Sequence, residues 1–142
     1  MFTAHPYLNF PGTTEEAFRF YQSVFGGEFL TLIRFKDTTE ATNVPENEQH
    51  KLMHIALPLG KGGVILMGTD VLDSMCHTLM PGNQISLTLT PDSQAEAQRL
   101  FEGLSLGGKV SVPLEPSSWG TIFGMLTDAY GIQWMIDYTP QS

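Results

Sequence analysis

Residues 15–27 read EEAFRFYQSVFGG, and residues 95–108 read AEAQRLFEGLSLGG. Three residues recur in the same order eighty positions apart, namely Glu16, Ala17 and Arg19 as Glu96, Ala97 and Arg99. Both stretches place apolar residues at the spacing of one helical face, and both end in a glycine pair, which closes a helix at little conformational cost. The sequence therefore predicts one amphipathic helix that occurs twice.

The segments around each helix repeat as well. Alternating apolar and polar residues precede each helix, TAHPYLNF at 3–10 and NQISLTLT at 83–90, and a period of two is typical of a strand. Three further strand candidates follow each helix, at 28–35, 51–60 and 63–70 in the first half and at 109–115, 121–128 and 132–138 in the second. Each half therefore reads strand, helix, strand, strand, strand.

This repeat predicts an α+β fold. We expect a single domain over 1–142 made of two βαβββ repeats, 1–70 and 83–140, joined by a linker over 71–82. One unit of this size is marginally stable alone, whereas two units placed edge to edge can curl a mixed sheet into a cradle with the helices outside. The polar, acidic segment 36–50 has no apolar period, so we expect a mobile surface loop there.

The alternation also assigns faces to the strands. In each first strand the apolar residues, Ile85 among them, would pack on the helix, which leaves polar residues to face the hollow: His5, Tyr7, Asn9, Gln84, Ser86 and Thr88. In the last strand Trp134 would pack on the helix and Met135 would point inward. A partly polar hollow between two repeats is suited to holding a small molecule.

Composition excludes several classes of partner. Apolar residues make up 42% of the chain and charged residues 15%, which is a globular composition with apolar surface to spare for an oligomer. The formal charge is −8 with seven scattered Lys and Arg residues, so neither nucleic acid nor an anionic membrane is an expected partner. No apolar run approaches membrane-spanning length, and the one cysteine, Cys76, excludes an internal disulfide. We expect a cytoplasmic protein in which Cys76 is a small hydrophobic residue.

Three segments carry a resemblance to a known family. They are YLNFPGTTEEAFRFYQSVFGGEF at 7–29, HIALPLGKGGVILMGTD at 54–70 and PLEPSSWGTIFGMLTDAYGIQWMIDY at 113–138. With them, nearly the whole chain resembles the vicinal oxygen chelate superfamily, which includes glyoxalase I, extradiol dioxygenases and bleomycin-resistance proteins. Within it the chain is similar to the PhnB-like group, also called demethylubiquinone methyltransferase-like. The sequence has no glycine-rich strand-to-helix turn that would support a methyltransferase.

The resemblance implies where a metal would bind. Metal-dependent members carry one ligand on the first and last strand of each unit, positions that fall here at His5, Leu66, Gln84 and Met135. Only His5 is a good ligand, and a divalent ion needs at least three protein ligands, so we expect no metal cofactor. An alternative cluster stays open, formed by His5, His50 and His54 with Asp70 or Asp137.

The candidate site residues are those expected to line the hollow: His5, Tyr7, His54, Leu66, Gln84, Ser86, Trp119 and Met135. Trp119 stands in a loop beside a glycine, where it could close over a pocket. Three carboxylates, Glu115, Asp128 and Asp137, are candidate bases, but no partner spacing singles one out. His77, in the linker, is expected to be exposed.

Three hypotheses for the function follow. The first is a small-molecule binding protein with a metal-free cradle. The alternative is a lyase, isomerase or dioxygenase acting on a small oxygenated substrate, with His5 or His54 as acid or base and with or without a divalent metal. The third is an interaction module whose hollow is filled. The resemblance also implies a homodimer, since superfamily members usually pair.

Overall fold

The computed structural model of the chain describes residues 1–75 and 78–140. Cys76 and His77 lie outside the described residues. The chain divides into two compact units, Met1–Met80 and Pro81–Ser142. Within the described ranges, none of the helices is long and apolar enough to span a membrane.

The first unit contains four strands and one long helix. In chain order these are β1 (Tyr7–Phe10), α1 (Thr14–Phe25), β2 (Thr31–Arg34), β3 (Leu52–Leu59) and β4 (Val64–Asp70). The strands form one sheet in the order β1-β4-β3-β2, in which β1 and β4 run parallel and the other neighbours antiparallel.

The second unit repeats this arrangement. Its elements are β5 (Leu87–Leu89), α2 (Gln94–Ser105), β6 (Lys109–Pro116), β7 (Ile122–Thr127) and β8 (Gln133–Tyr138). The sheet order β5-β8-β7-β6 matches that of the first unit, again with a parallel pair, β5 and β8, at one edge. The predicted α+β fold of two βαβββ repeats is therefore confirmed.

In each unit an aromatic ring of the helix lies over a glycine of the sheet. A Cβ atom added to Gly68 in β4 would lie 2.6 Å from the Phe18 ring of α1, and one added to Gly124 in β7 would lie 2.6 Å from the Phe101 ring of α2. Glycine is required at both positions because any side chain would separate helix and sheet. These contacts identify the face of each sheet that carries its helix, and we call the opposite face the distal face.

Alternation along the strands then sorts the side chains between the two faces. In β4 Leu66, Gly68 and Asp70 are buried on the helix side, whereas Met67, which pairs with Tyr7 of β1, lies on the distal face. Ile85 departs from its predicted position on the helix. It precedes β5, which is shorter than predicted, and its side chain is 77% exposed.

The segment between β2 and β3 is not the unstructured loop that its composition predicted. It forms three short 3₁₀ turns, at Phe35–Asp37, Thr39–Asn43 and Glu46–Glu48. Val44 is buried with Phe35 and Leu72 in a small satellite core. The Gln49 side chain donates hydrogen bonds to the carbonyls of Ala41 and Val44, at 3.1 Å each, and so fastens the turns together.

Candidate functional site

Two of the predicted site residues, Tyr7 and His54, meet on the distal face of the first sheet. The Tyr7 hydroxyl lies 3.2 Å from Nδ1 of His54, and the two ring centroids are 5.7 Å apart. Met67 lies beside them, since β4 pairs Met67 with Tyr7 on one side and with Ala56 on the other. A phenol and an imidazole in hydrogen-bond contact thus sit on an apolar part of the face, a combination typical of sites that orient small molecules.

The environment keeps the Tyr7 phenol protonated. Partial burial raises the pKa of Tyr7 above its ordinary value of 10.0, because the phenolate would lose solvation, and a hydrogen bond with Thr69 opposes this only in part. A neutral phenol can donate its proton to Nδ1 of His54. In that arrangement Nε2 of the neutral imidazole carries the ring proton.

His5 is committed to the sheet itself. The backbone N–H of Ile65 donates to Nδ1 of His5 at 2.9 Å, and the N–H of Met67 donates to the Pro6 carbonyl at 3.0 Å. The imidazole therefore extends the pairing of β1 with β4 beyond the backbone ladder. Its Nδ1 atom is not available to a metal without loss of that hydrogen bond.

Leu66 is a correction to the predicted site. It is fully buried on the helix side of β4, so it does not line the distal face. The reason is register. Because Tyr7 pairs with Met67, the distal positions of β4 are the odd-numbered ones. The residue beside Tyr7 on the distal face is therefore Met67, whose side chain is a thioether, and not Leu66.

The side chains present do not fit a divalent metal. Across residues 1–75 and 78–140, no three His, Cys, Asp or Glu side chains are grouped closely enough to hold an ion. The alternative cluster of His5, His50 and His54 with Asp70 or Asp137 is therefore not assembled. The thioethers of Met67 and Met135 are soft ligands, unsuited to the ions that oxygen and imidazole donors bind.

Two of the candidate acids are structural. Asp70 accepts hydrogen bonds from the Thr14 amide at 3.0 Å, the Thr14 hydroxyl at 2.7 Å and the Leu52 amide at 2.9 Å, and so fastens the start of α1 to the sheet. Asp128 accepts from the amides of Tyr130 and Ile132 and from Nε1 of Trp134, at 2.8, 3.1 and 2.8 Å. Both carboxylates are buried and hydrogen-bonded within the fold, which argues against Asp128 as a base and against Asp70 as a metal ligand.

The second sheet positions the remaining candidates. Met135 lies on its distal face, where the Thr88 hydroxyl is 3.8 Å from the sulfur. Gln84, which is exposed, and Ser86, which is half-buried, precede β5. Trp119 stands between β6 and β7 with 62% of its surface exposed.

A tight turn presents Trp119 to its neighbour Phe123. Ser117 fixes the turn, because its hydroxyl donates to the Thr121 carbonyl at 2.8 Å and accepts from the Thr121 amide at 3.2 Å. Gly120 adopts a φ of 97°, which favours glycine. The Trp119 and Phe123 rings meet edge to face, with centroids 5.3 Å apart.

Three neighbours of the predicted site residues on the distal faces were not themselves predicted to line the site: Met67, Thr69 and Phe123. The signal for Phe123 was its place next to Gly124, since a glycine under a helix implies that the adjacent side chain points to the other face. Gly68 gives the same signal for Met67 and Thr69, which flank it in β4.

Comparison with known proteins now identifies the family. Residues 3–137 match the family described as 3-demethylubiquinone-9 3-methyltransferase. The chain belongs to this family. Protein YjdN of Escherichia coli strain K12 is 31% identical over 142 residues, covering 96% of this chain and 95% of that protein.

Solved structures of similar proteins support this family assignment and show that the fold is shared more widely. Protein PA1353 from Pseudomonas aeruginosa is 34% identical, with a TM-score of 0.85 over 99% of this chain and all of that one. The PhnB protein from Bacillus cereus is 25% identical, with a TM-score of 0.77 and coverage of 97% and 100%. A glyoxalase-related enzyme from Fulvimarina pelagi, 19% identical with a TM-score of 0.64 and coverage of 99% and 89%, shares the fold. The resemblance to the PhnB-like group is confirmed, and the fold is shared with glyoxalase-related proteins.

Proposed function

We propose that this chain binds a small organic molecule on the distal faces of its sheets and needs no metal ion to do so. The observation that carries the proposal is the hydrogen-bonded pair of Tyr7 and His54 beside Met67. Binding sites for small molecules combine apolar walls with a few placed polar groups. Of the other predicted lining residues, His5, Gln84, Ser86, Trp119 and Met135 remain part of this proposal.

The donor set supports the metal-free part of the proposal. Nδ1 of His5 already accepts a hydrogen bond from the backbone amide of Ile65, and Leu66 is buried in the core. An as-purified preparation that holds about one equivalent of zinc, nickel, iron or manganese would contradict this part, whatever the ligand proves to be.

A thermal-shift screen with metabolites and antibiotics tests the proposal. Ligand at about one hundred times its Kd adds roughly 2.7 kcal/mol to the free energy of unfolding, which raises the melting temperature measurably. Hits should lose affinity in Tyr7→Phe and His54→Gln but not in Tyr138→Phe, a control that removes a hydroxyl from the helix side of the second sheet. Silence across a broad panel would favour the alternative that the chain is an interaction module.

A second function is favoured by the same pair of side chains. A neutral phenol that hydrogen-bonds an imidazole can transfer a proton, so a lyase or an isomerase could operate here with His54 as the base. A dioxygenase would require a donor set for iron, which the described side chains do not assemble. An enzyme would convert the ligand to a product, and His54→Gln would abolish that turnover, whereas a binding protein would show no turnover at all.

The name of the family raises methyl transfer, which we do not propose. Nucleotide-like cofactors bind at the carboxyl ends of parallel strands that are linked through helices. Each sheet here has one parallel pair, β1 with β4 and β5 with β8, and antiparallel neighbours elsewhere.

The proposal includes a homodimer in the cytoplasm. A charged fraction of 15% leaves apolar surface for contact between copies, and a single cysteine suits a reducing compartment. Sedimentation at micromolar concentration that shows only a 15.7 kDa species would contradict the dimer, and cell fractionation tests the location.

A further inference from the structure

One row of side chains crosses the distal face of the second sheet. Pairing places Glu115 of β6 opposite Phe123 of β7, and Phe123 opposite Asp137 of β8. Paired residues share a face, and neighbouring strands are about 4.8 Å apart, so the two carboxylates flank the phenylalanine ring. We call these three residues the carboxylate row.

The carboxylate row contains an unsatisfied acceptor. Oδ1 of Asp137 is buried and has no hydrogen-bond partner in the described part of the chain. A buried carboxylate oxygen without a donor is costly, so a donor from outside the chain, either a water molecule or a ligand, would stabilise it. The residue as a whole keeps some exposure, so a change of side-chain rotamer can present the carboxylate to a ligand on this face.

Aromatic rings stand beside this acceptor. Phe123 lies within the row, and Trp119 contacts its ring edge to face at 5.3 Å while keeping most of its own surface exposed. The π face of a tryptophan or phenylalanine attracts a cation within about 6 Å of the ring centre. The hydrogen-bonded turn at Ser117 holds Trp119 in this place.

Neither cationic side chain of the second unit is paired with the carboxylate row. Residues 81–142 contain six carboxylate side chains but only two cationic ones, Arg99 and Lys109. Arg99 is paired with Glu96 on α2, and Lys109 stands at the opposite end of β6 from Glu115, where it pairs with Thr127.

We propose that the carboxylate row and Trp119 form a binding site for a protonated primary or secondary amine. The aromatic rings attract the positive charge, and an N–H of the ammonium group donates to Asp137, with Glu115 adding negative potential from the other side. The N–H requirement follows from the unsatisfied oxygen, which a quaternary ammonium cannot serve. This site uses the second unit alone and does not depend on the Tyr7–His54 pair.

Titration with four matched probes at constant ionic strength tests the proposal, with calorimetry and tryptophan fluorescence as readouts. We expect 1-pentylamine to bind in the millimolar range, pentyltrimethylammonium to bind several-fold more weakly, and 1-pentanol to show no saturation. The diamine 1,5-diaminopentane should bind at least as well as the monoamine. Equal binding of alcohol and amine, tighter binding of the quaternary ion, or no amine binding up to about 50 mM would each overturn the proposal.

Variants separate the site from general charge attraction. Asp137→Asn should weaken amine binding about tenfold, and Trp119→Ala should weaken it a few-fold. Glu102→Gln removes the same charge from the exposed face of α2 and should leave amine binding unchanged. Near-ultraviolet circular dichroism verifies that Asp137→Asn is folded. If folded Asp137→Asn binds the amine as the wild type does, or if Glu102→Gln weakens it equally, the site is not where we place it.

Discussion

Asp128→Asn should destabilise the second unit by an amount that its contacts determine. The carboxylate accepts from two backbone amides through Oδ1 and from the Trp134 indole through Oδ2, and both residues are buried. An asparagine side chain has one acceptor oxygen, so turning it to the amides leaves an NH₂ group facing the indole N–H. A buried donor without an acceptor costs about 1–3 kcal/mol, and a hydrogen bond to a charged group is worth about 1.5–3 kcal/mol. We expect a loss of about 2–4 kcal/mol in the free energy of unfolding.

Urea denaturation followed by far-ultraviolet circular dichroism measures this loss. The decisive comparison is a double-mutant cycle with Trp134→Phe, which removes the indole donor. Because that donor is then absent, Asp128→Asn should cost about 1–2 kcal/mol less in the Trp134→Phe background than in the wild type. A cost below about 0.5 kcal/mol, or the same cost in both backgrounds, would refute the assigned role of the carboxylate.

Three further predictions concern stability. Gly68→Ala places a Cβ atom 2.6 Å from Phe18, so denaturation should show a loss of about 1–3 kcal/mol that Phe18→Leu partly restores. No loss would mean that the helix adjusts freely. Arg34 donates two hydrogen bonds to Glu15, at 2.9 Å each, and this lowers the pKa of Glu15 below 4.5. The pair therefore stabilises the fold above about pH 4.5, and the deficit of Arg34→Met should shrink as the pH falls through the folded-state pKa; a constant deficit would contradict this. Val44→Ala removes two methyl groups from the satellite core and should cost about 1–2 kcal/mol and speed proteolytic cleavage between β2 and β3; unchanged cleavage would argue against the satellite core.

The repeat was predictable from the sequence because its signals are local. Helical spacing, glycine stops and period-two alternation each lie within a dozen residues. All of these elements formed, although β1, β2 and β5 are about half as long as their predicted segments or shorter. The face of β4 was not predictable from alternation. Residues 64–67 are all apolar, so alternation is silent there, and the face is decided by the contact of Gly68 with the Phe18 ring and by the pairing of Met67 with the distant Tyr7.

The prediction of a mobile loop between β2 and β3 was wrong for a related reason. Its core joins Val44 to Phe35 and Leu72, which are too far apart in sequence to produce a period. Asp128 did carry a local signal. An aspartate followed three residues later by glycine is typical of a turn in which the side chain accepts from nearby amides, as Asp128 does from Tyr130 and Ile132.

The aspartates of the sheets therefore separate into two kinds, and this gives the last prediction. Asp70 and Asp128 have both carboxylate oxygens hydrogen-bonded by the chain itself, whereas Asp137 has a buried oxygen that no described residue serves. Removing the charge should accordingly destabilise the protein at Asp70 and Asp128 but leave it unchanged or more stable at Asp137, since an uncompensated buried charge is unfavourable. Melting curves of the three Asp→Asn variants without ligand decide the matter. If Asp137→Asn lowers the melting temperature as far as Asp128→Asn does, Asp137 has a structural partner, and the case for an amine at the carboxylate row falls with it.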